Sequence, residues 1–504
     1  MSFFSLRFII FIAAGLLVYA IAPRRFRWVV LLFASYAFYM IGGPRFVLYL
    51  LFTTSVTYIA GRLLGALNAR EKTDKRQKTQ KKLVAACAIL AGFGMLFVLR
   101  YLDYMLGLLH APEQFRFNLI VPLGVSFFTF QSIGYVIDVY RGKYAPERNP
   151  LKYALFVSFF PQMIQGPISR FDQLSPQLTA GEQLNPDNLK YGLQLVLWGC
   201  FKKLIIADRA GVVVETVFHN SGAYTGSVVA FAAIFYSIQI YCDFSGGIDI
   251  ARGVAKMFGI NLVDNFRRPV FATSLADFWR RWHITLGAWM KDYLFYPLAL
   301  SKPLLRLGKF TRSKIGGTLG KIIPTSICTF TIFVVIGIWH GAHFRFVAFG
   351  LWHASIIALS LLLAGPFTKM KQACRIDDKR GYWVLISIFR TTLIVVIGRF
   401  FARAPYFMTA LSMIRQTFFD FQLSSFTDGT LFTLGITRFD TWVVFIAFAA
   451  LVVVEWFQER GVEMRKSLEQ RSFFVQWAAI LIPLALILTL GIWGEVDTFI
   501  YMQF

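Results

Sequence analysis

Apolar runs suited to crossing a bilayer recur from one end of this chain to the other, and the loops at every second junction are rich in arginine and lysine. The runs cover residues 3–22, 28–41, 46–67, 83–99, 119–139, 191–206, 228–241, 322–339, 344–363, 383–397, 442–456 and 474–493. A helix of about 20 apolar residues matches the ~30 Å hydrocarbon core of a membrane. Backbone N–H and C=O groups find no water there, so such runs fold as helices. Only 16% of the residues are charged, against about 25% in soluble domains. The expected fold class is therefore all-α, a polytopic transmembrane helical bundle, with residues 1–504 as a single integral-membrane domain.

The chain carries 52 Lys and Arg against 27 Asp and Glu, a formal charge of +25. In a soluble protein that excess would suggest a nucleic-acid partner. Here the cations sit between apolar runs, the pattern that orients membrane helices, and no nucleic acid is expected. Arg24, Arg25 and Arg27, the loop 68–82, the segment with Arg141, Lys143, Arg148 and Lys152, and the acid-free loop 301–321 all fall on one side. So do 369–380 and the group Arg460, Arg465, Lys466 and Arg471. That side is read as cytoplasmic, which leaves both termini extracytoplasmic. The first run lacks a small-residue cleavage pattern and reads as a first span. The five cysteines have no CxxC or CxxH spacing, so neither disulfides nor zinc are implied.

Three stretches break the pattern. Residues 153–164 are too short to span and are followed by Gly166-Pro167, which suggests a re-entrant segment covered by protein. Residues 243–321 read as amphipathic helices on the inner face. Lys202 and Lys203 interrupt the run 191–206 and leave its depth open.

Ionisable groups within apolar runs are costly, so they are candidates for function. His340 closes the run 322–339, and His283 lies in the segment 278–286 with Trp279, Trp282 and Leu286 placed on one helical face. The basic loops bring His283 from the inner face and His340 from the outer half. A neutral imidazole can take a proton from an attacking hydroxyl, a general-base role worth about 10²- to 10⁴-fold. Either histidine can equally be a helix-packing residue. His340 and His343 are three apart, but no third ligand accompanies them and no metal is expected. Asp243 and Asp249 either orient an imidazole or cap a helix end. His353 reads as packing, and His110 and His219 as loop residues. No GxSxG elbow, Walker loop or dinucleotide fingerprint is present.

Trp-His-Gly at 339–341, the segment 278–283, the segment 291–298 and the segment 241–249 together resemble the membrane-bound O-acyltransferase family. The likeness is strongest to its bacterial branch, which acetylates alginate and peptidoglycan or attaches D-alanine to teichoic acid. Gly287-Ala288, Lys291, Ala299-Leu300 and His343-Phe344 depart from the family pattern. The resemblance implies re-entrant and interfacial helices around a tunnel or funnel, a motif-bearing core at 118–354, and catalytic roles for His340 at the narrow point and His283 below it. Trp339, Trp282, Asp292 and Asp243 become tunnel or substrate candidates. It further implies acetyl transfer from cytoplasmic acetyl-CoA to a hydroxyl of a surface or secreted polysaccharide. No permanently bound cofactor is implied, and the partner would be an extracytoplasmic, esterase-like acetyltransferase. The location would be a bacterial cytoplasmic membrane. D-alanyl transfer and a non-catalytic transporter or flippase are the alternatives. Tyr501, between Phe499 and Phe504, is either a covalent acyl relay or part of an interfacial aromatic belt.

Overall fold

The computed structural model describes residues 4–70, 74–112, 114, 116–117, 119–122, 124–317 and 319–493. Tyr501 and its aromatic neighbours therefore lie outside the described residues. The chain opens with α1 (Leu6–Ile21), α2 (Arg27–Gly42), α3 (Phe46–Asn68), α4 (Lys75–Leu108) and α5 (Val125–Tyr140). Short helices follow: α6 (Pro150–Ser158), α7 (Phe160–Gln165) and α8 (Phe171–Ala180). Next come α9 (Pro186–Cys200), a π-helical stretch Phe201–Ala207, α10 (Asp208–His219) and α11 (Gly226–Met257). A compact segment holds α12 (Leu275–Arg281), α13 (Ile284–Met290), α14 (Tyr296–Ala299) and α15 (Lys302–Ile315). The chain then runs through α16 (Leu319–His340), α17 (Phe344–Leu362), α18 (Ala364–Ala373), α19 (Gly381–Arg403), α20 (Phe407–Phe419), α21 (Arg438–Glu459), α22 (Met464–Glu469) and α23 (Phe473–Leu490).

Eight of these helices are long and apolar enough to cross a bilayer: α3, α4, α11, α16, α17, α19, α21 and α23. The molecule is a multi-pass helical membrane bundle. Among the described residues extended segments meet only in the bridge between Phe266 and Trp282. Helix α11 is the axis of the bundle, with 83% of its most apolar window buried, whereas α23 buries 6% and presents its surface to lipid. Glycines let α9 lie directly against α11. A Cβ on Gly199 would come within 2.5 Å of the Gly246 carbonyl, and one on Gly192 within 2.6 Å of that of Gly253. Small residues of this kind let helix backbones approach in the absence of a hydrophobic driving force.

Residues 150–165 form a broken helical pair buried in protein. The freed carbonyl of Phe156 accepts from Gln131 Nε2 at 2.6 Å, and the Phe160 N–H donates to Ser35 Oγ at 3.1 Å. Those bonds answer the backbone groups that a break in a membrane interior exposes. Four sequence readings need correction. Helix α11 does not stop near Tyr241 but continues to Met257, so Asp243 and Asp249 lie within it. Helix α4 begins at Lys75, inside the basic stretch read as a loop, because Asp74 caps it through Gln77 N–H. Helix α19 continues to Arg403. Finally, the segment 278–286 is not one helix, because it breaks at Trp282-His283.

Candidate active site

That break places His283. The chain turns there through a left-handed backbone conformation, φ 45°, which costs a non-glycine residue about 1–2 kcal/mol. Asn265 holds the turn. Its side-chain oxygen accepts from the Thr285 N–H at 3.0 Å and the Thr285 hydroxyl at 2.8 Å, and lies 3.2 Å from His283 Nδ1. Its carbonyl accepts from the Ile284 N–H at 3.0 Å. Since the Thr285 N–H can only donate, this oxygen is an acceptor, so Nδ1 of His283 carries the proton and Nε2 is the basic nitrogen. Burial, reinforced by His340, holds the His283 imidazole well below its usual pKa and keeps it neutral.

His340 ends α16, whose last carbonyls need outside donors. Arg100 donates to the Trp339 carbonyl at 3.1 Å and Tyr101 to that of Ile338 at 2.6 Å, both from α4. A Cβ at Gly341 would come within 2.4 Å of the Phe346 ring, so a side chain in the turn after His340 would force that ring to move. The Trp339 ring lies between the two histidines, 6.0 Å from His283 and 4.9 Å from His340 between centroids. Phe244 meets His283 edge-on at 4.9 Å, and Phe349 meets His340 at 5.8 Å.

Three spaces adjoin this aromatic stack. A cavity of about 830 Å³ opens beside His340 and is bounded by Arg100, His343, Arg345, Arg403, Glu215 and Lys203. A chamber of about 20 Å³ follows, walled by His340, Phe346, Phe349, Tyr236, Trp279, Trp282 and Arg399. On the far side of Trp282, whose ring packs on Phe266 at 4.9 Å and Tyr241 at 6.0 Å, a third space of about 1130 Å³ begins. Both Phe266 and Tyr241 line it, together with Arg267, Arg268, Arg465 and Lys466 from the basic loops. His340 thus stands where the first cavity meets the neck.

The family model of the membrane-bound O-acyltransferases matches residues 145–401. The chain is 31% identical over 456 residues to the probable alginate O-acetylase AlgI of Pseudomonas syringae pv. tomato, a match covering 89% of this chain and 81% of that protein. The chain belongs to the membrane-bound O-acyltransferase family. It is also 34% identical over 310 residues to a peptidoglycan O-acetyltransferase of Helicobacter pylori, across 56% of this chain and 55% of that one. A teichoic acid D-alanyltransferase of Bacillus subtilis is 29% identical over 290 residues, across 56% and 69% of the two chains. The protein is therefore an O-acyltransferase, embedded in a membrane by several helices.

Within this acyltransferase, Trp339 and Trp282 join the two histidines, and the two aspartates do not. Asp243 is fully buried in an ion-pair layer, where Lys203 reaches it and Asp208 at 2.8 Å each; Lys203 and Asp208 also line the cavity beside His340, and Asp243 does not. The i→i+5 winding of the π-helix brings Lys203 over Asp208. Lys202 turns the other way, toward Asp249 at 2.7 Å and Ser245 at 2.9 Å. Asp243 is thus an ion-pair partner in mid-helix and no cap. Asp292 lies at the basic face, 2.6 Å from Arg170. His343 meets Tyr104 edge-on at 4.9 Å, and His353 packs among Phe349, Trp279 and Phe333. Sequence reading passed over Arg100, Tyr236 and Arg399. The stretch 383–403 carries Arg390, Arg399 and Arg403, and nothing in the sequence sets Arg399 apart from the other two.

Proposed function

We propose that this protein O-acetylates a polysaccharide across a bacterial cytoplasmic membrane, with His340 as the general base. The observation that carries the reading is the position of His340 at the junction of a cavity on one face and a neck leading to a cavity on the other. The resemblance to proteins named alginate O-acetylase and peptidoglycan O-acetyltransferase supports acetate and a glycan as the two substrates. The positive-inside rule assigns the basic face to the cytoplasm and both termini to the outside. The whole chain then acts as one integral-membrane unit, with residues 118–354 as its chemical core.

Acetyl-CoA is the proposed donor. Arg267 and Arg465 line the cavity on the basic face, and among the described residues neither has an ion pair. Such guanidiniums suit the phosphates of CoA. The acetyl thioester enters the neck past Trp282 and faces His340, whose ring is backed by Trp339 with His283 behind it. The acceptor hydroxyl comes from the opposite cavity and loses its proton to His340. A polymer does not fit a neck of about 20 Å³, so an esterase-like partner outside would carry acetate onward to the glycan. Tyr501 as an acyl relay remains part of this proposal: undiminished acetylation in Tyr501→Phe would remove it.

Mass spectrometry of surface polysaccharides tests the reading. Cells with His340→Ala at normal abundance in the membrane should lose acetate esters. Retained acetate would end the catalytic role of His340. Loss of esterified alanine with acetate intact would place the protein in the D-alanyl branch.

A further inference from the structure

The neck contains a charge that no described residue answers. Arg399 is 5% exposed, and among the described residues its side chain makes no ion pair and no hydrogen bond, with Nε fully enclosed. Its guanidinium carbon lies 4.7 Å from the centroid of the Trp282 ring. Two other donors in the same chamber share this condition. Tyr236 is fully buried and its hydroxyl has no partner, and the Trp279 indole N–H has none either. All three residues wall the small chamber that His340 also lines.

Burying a donor without an acceptor costs about 1–3 kcal/mol, and a charged donor costs more. Three in one chamber of about 20 Å³ amount to a standing deficit that an anion entering the chamber would relieve. Packing alone gives no reason for the arrangement, because leucine or phenylalanine fills such space without the deficit. The cation–π contact recovers only about 2 kcal/mol for a desolvated pair.

We propose that Arg399, with the Tyr236 hydroxyl and the Trp279 N–H, binds the oxyanion formed when a hydroxyl adds to the thioester. The proposal rests on the acyl-transfer reading with His340 as base. In the first step the acceptor oxygen bonds to the thioester carbonyl carbon while its proton passes to His340. The C=O π pair moves onto the carbonyl oxygen, and Arg399 and its two neighbours receive that charge. In the second step the pair re-forms the C=O bond. The C–S bond breaks with its electrons on sulfur, and the imidazolium returns its proton to the thiolate. Trp282 is a positioning residue, since its ring sets the plane of the guanidinium. Donors held in place in a dry site act without reorganisation as charge develops, and losing one costs roughly 10²- to 10³-fold in kcat.

Two probes on the full-length protein in lipid nanodiscs separate this role from packing. Acetonyl-CoA, a ketone thioether, resembles the bound donor, and trifluoroacetonyl-CoA, an activated ketone, mimics the oxyanion. The wild type should bind the second far more tightly. Tyr236→Phe removes a single oxygen, and Arg399→Lys keeps the charge without the planar fork. Both should cut that preference by roughly tenfold or more while leaving acetonyl-CoA affinity within about twofold. Arg399→Gln should lower kcat with KM for acetyl-CoA little changed. An unchanged preference in both milder variants, or parallel loss of affinity for both probes, overturns the proposal. Failure of the His340 reading looks different: His340→Gln would then turn over normally while Tyr236→Phe still loses the preference.

Discussion

Two groups of polar side chains lie buried inside this bundle, and they are built on opposite rules. In the lysine layer every charge is answered: Lys203 by Asp243 and Asp208, and Lys202 by Asp249 and Ser245. In the neck, among the described residues, Arg399 has no counter-ion and two further donors have no acceptor. Both groups pay the desolvation penalty, but only the first recovers it within the protein. The difference teaches how to tell scaffold from site in a membrane interior, where buried ionisable residues are all suspect. Paired charges tie α11 to the π-helix and α10, and on the proposed mechanism an unpaired one keeps a place for charge that develops in the reaction.

The largest expected effect is on chemistry in the neck. His340→Gln should reduce acetyl transfer by about 10²- to 10⁴-fold, measured as ester formed by protein whose thermal unfolding is unchanged. Arg399→Met should also leave a folded but inactive protein, since removing an unanswered charge relieves the resting state. The lysine layer should respond in the reverse sense. Lys203→Met leaves the buried Asp243 and Asp208 carboxylates without the cation between them and should cost about 3–5 kcal/mol of stability, read as loss of membrane-inserted protein. The triple change Lys203→Met with Asp208→Asn and Asp243→Leu should restore abundance and transfer together. If that variant stays folded but inactive, the layer is not scaffold and the comparison breaks.

Two smaller effects sharpen it. Asn265→Ala removes the acceptor that fixes the His283 tautomer and should lower transfer by roughly tenfold, within the range seen when groups behind a reactive imidazole are lost. His283 also gives stability a pH dependence. Its folded pKa lies below the unfolded value of about 6.5, so in acid the unfolded chain binds the extra proton first. Thermal stability should therefore fall as pH drops below about 6.5, and less steeply in His283→Gln. An identical slope in the two proteins would mean that His283 is not buried as a neutral ring.

Much of this was legible from composition alone. The spans could be read because membrane helices declare themselves by apolar length, and His340 because an ionisable group closing such a run is expensive. The bend at His283 was hidden because its cause lies 18 residues upstream, in the Asn265 side chain. Asp243 and Asp249 looked like an exit from the membrane, since their counter-ions sit some 40 residues earlier in the chain. Arg399, with Arg403 after it, looked like the start of a loop. Nothing local distinguishes a buried arginine from one that ends a span. In each case a distant residue decided the outcome.

The size of the neck has a consequence for the cell's energy supply. About 20 Å³ holds about one water molecule, too few for a continuous file from one face to the other. A charge crossing an energised membrane releases about 2.3 kcal/mol per 100 mV, and an open bore through this bundle would let ions run that gradient down. On the proposed route a closed aromatic waist would let a two-carbon group change sides by making and breaking bonds while the membrane stays electrically sealed. Widening it, for example with Trp282→Ala, would turn an enzyme into a leak.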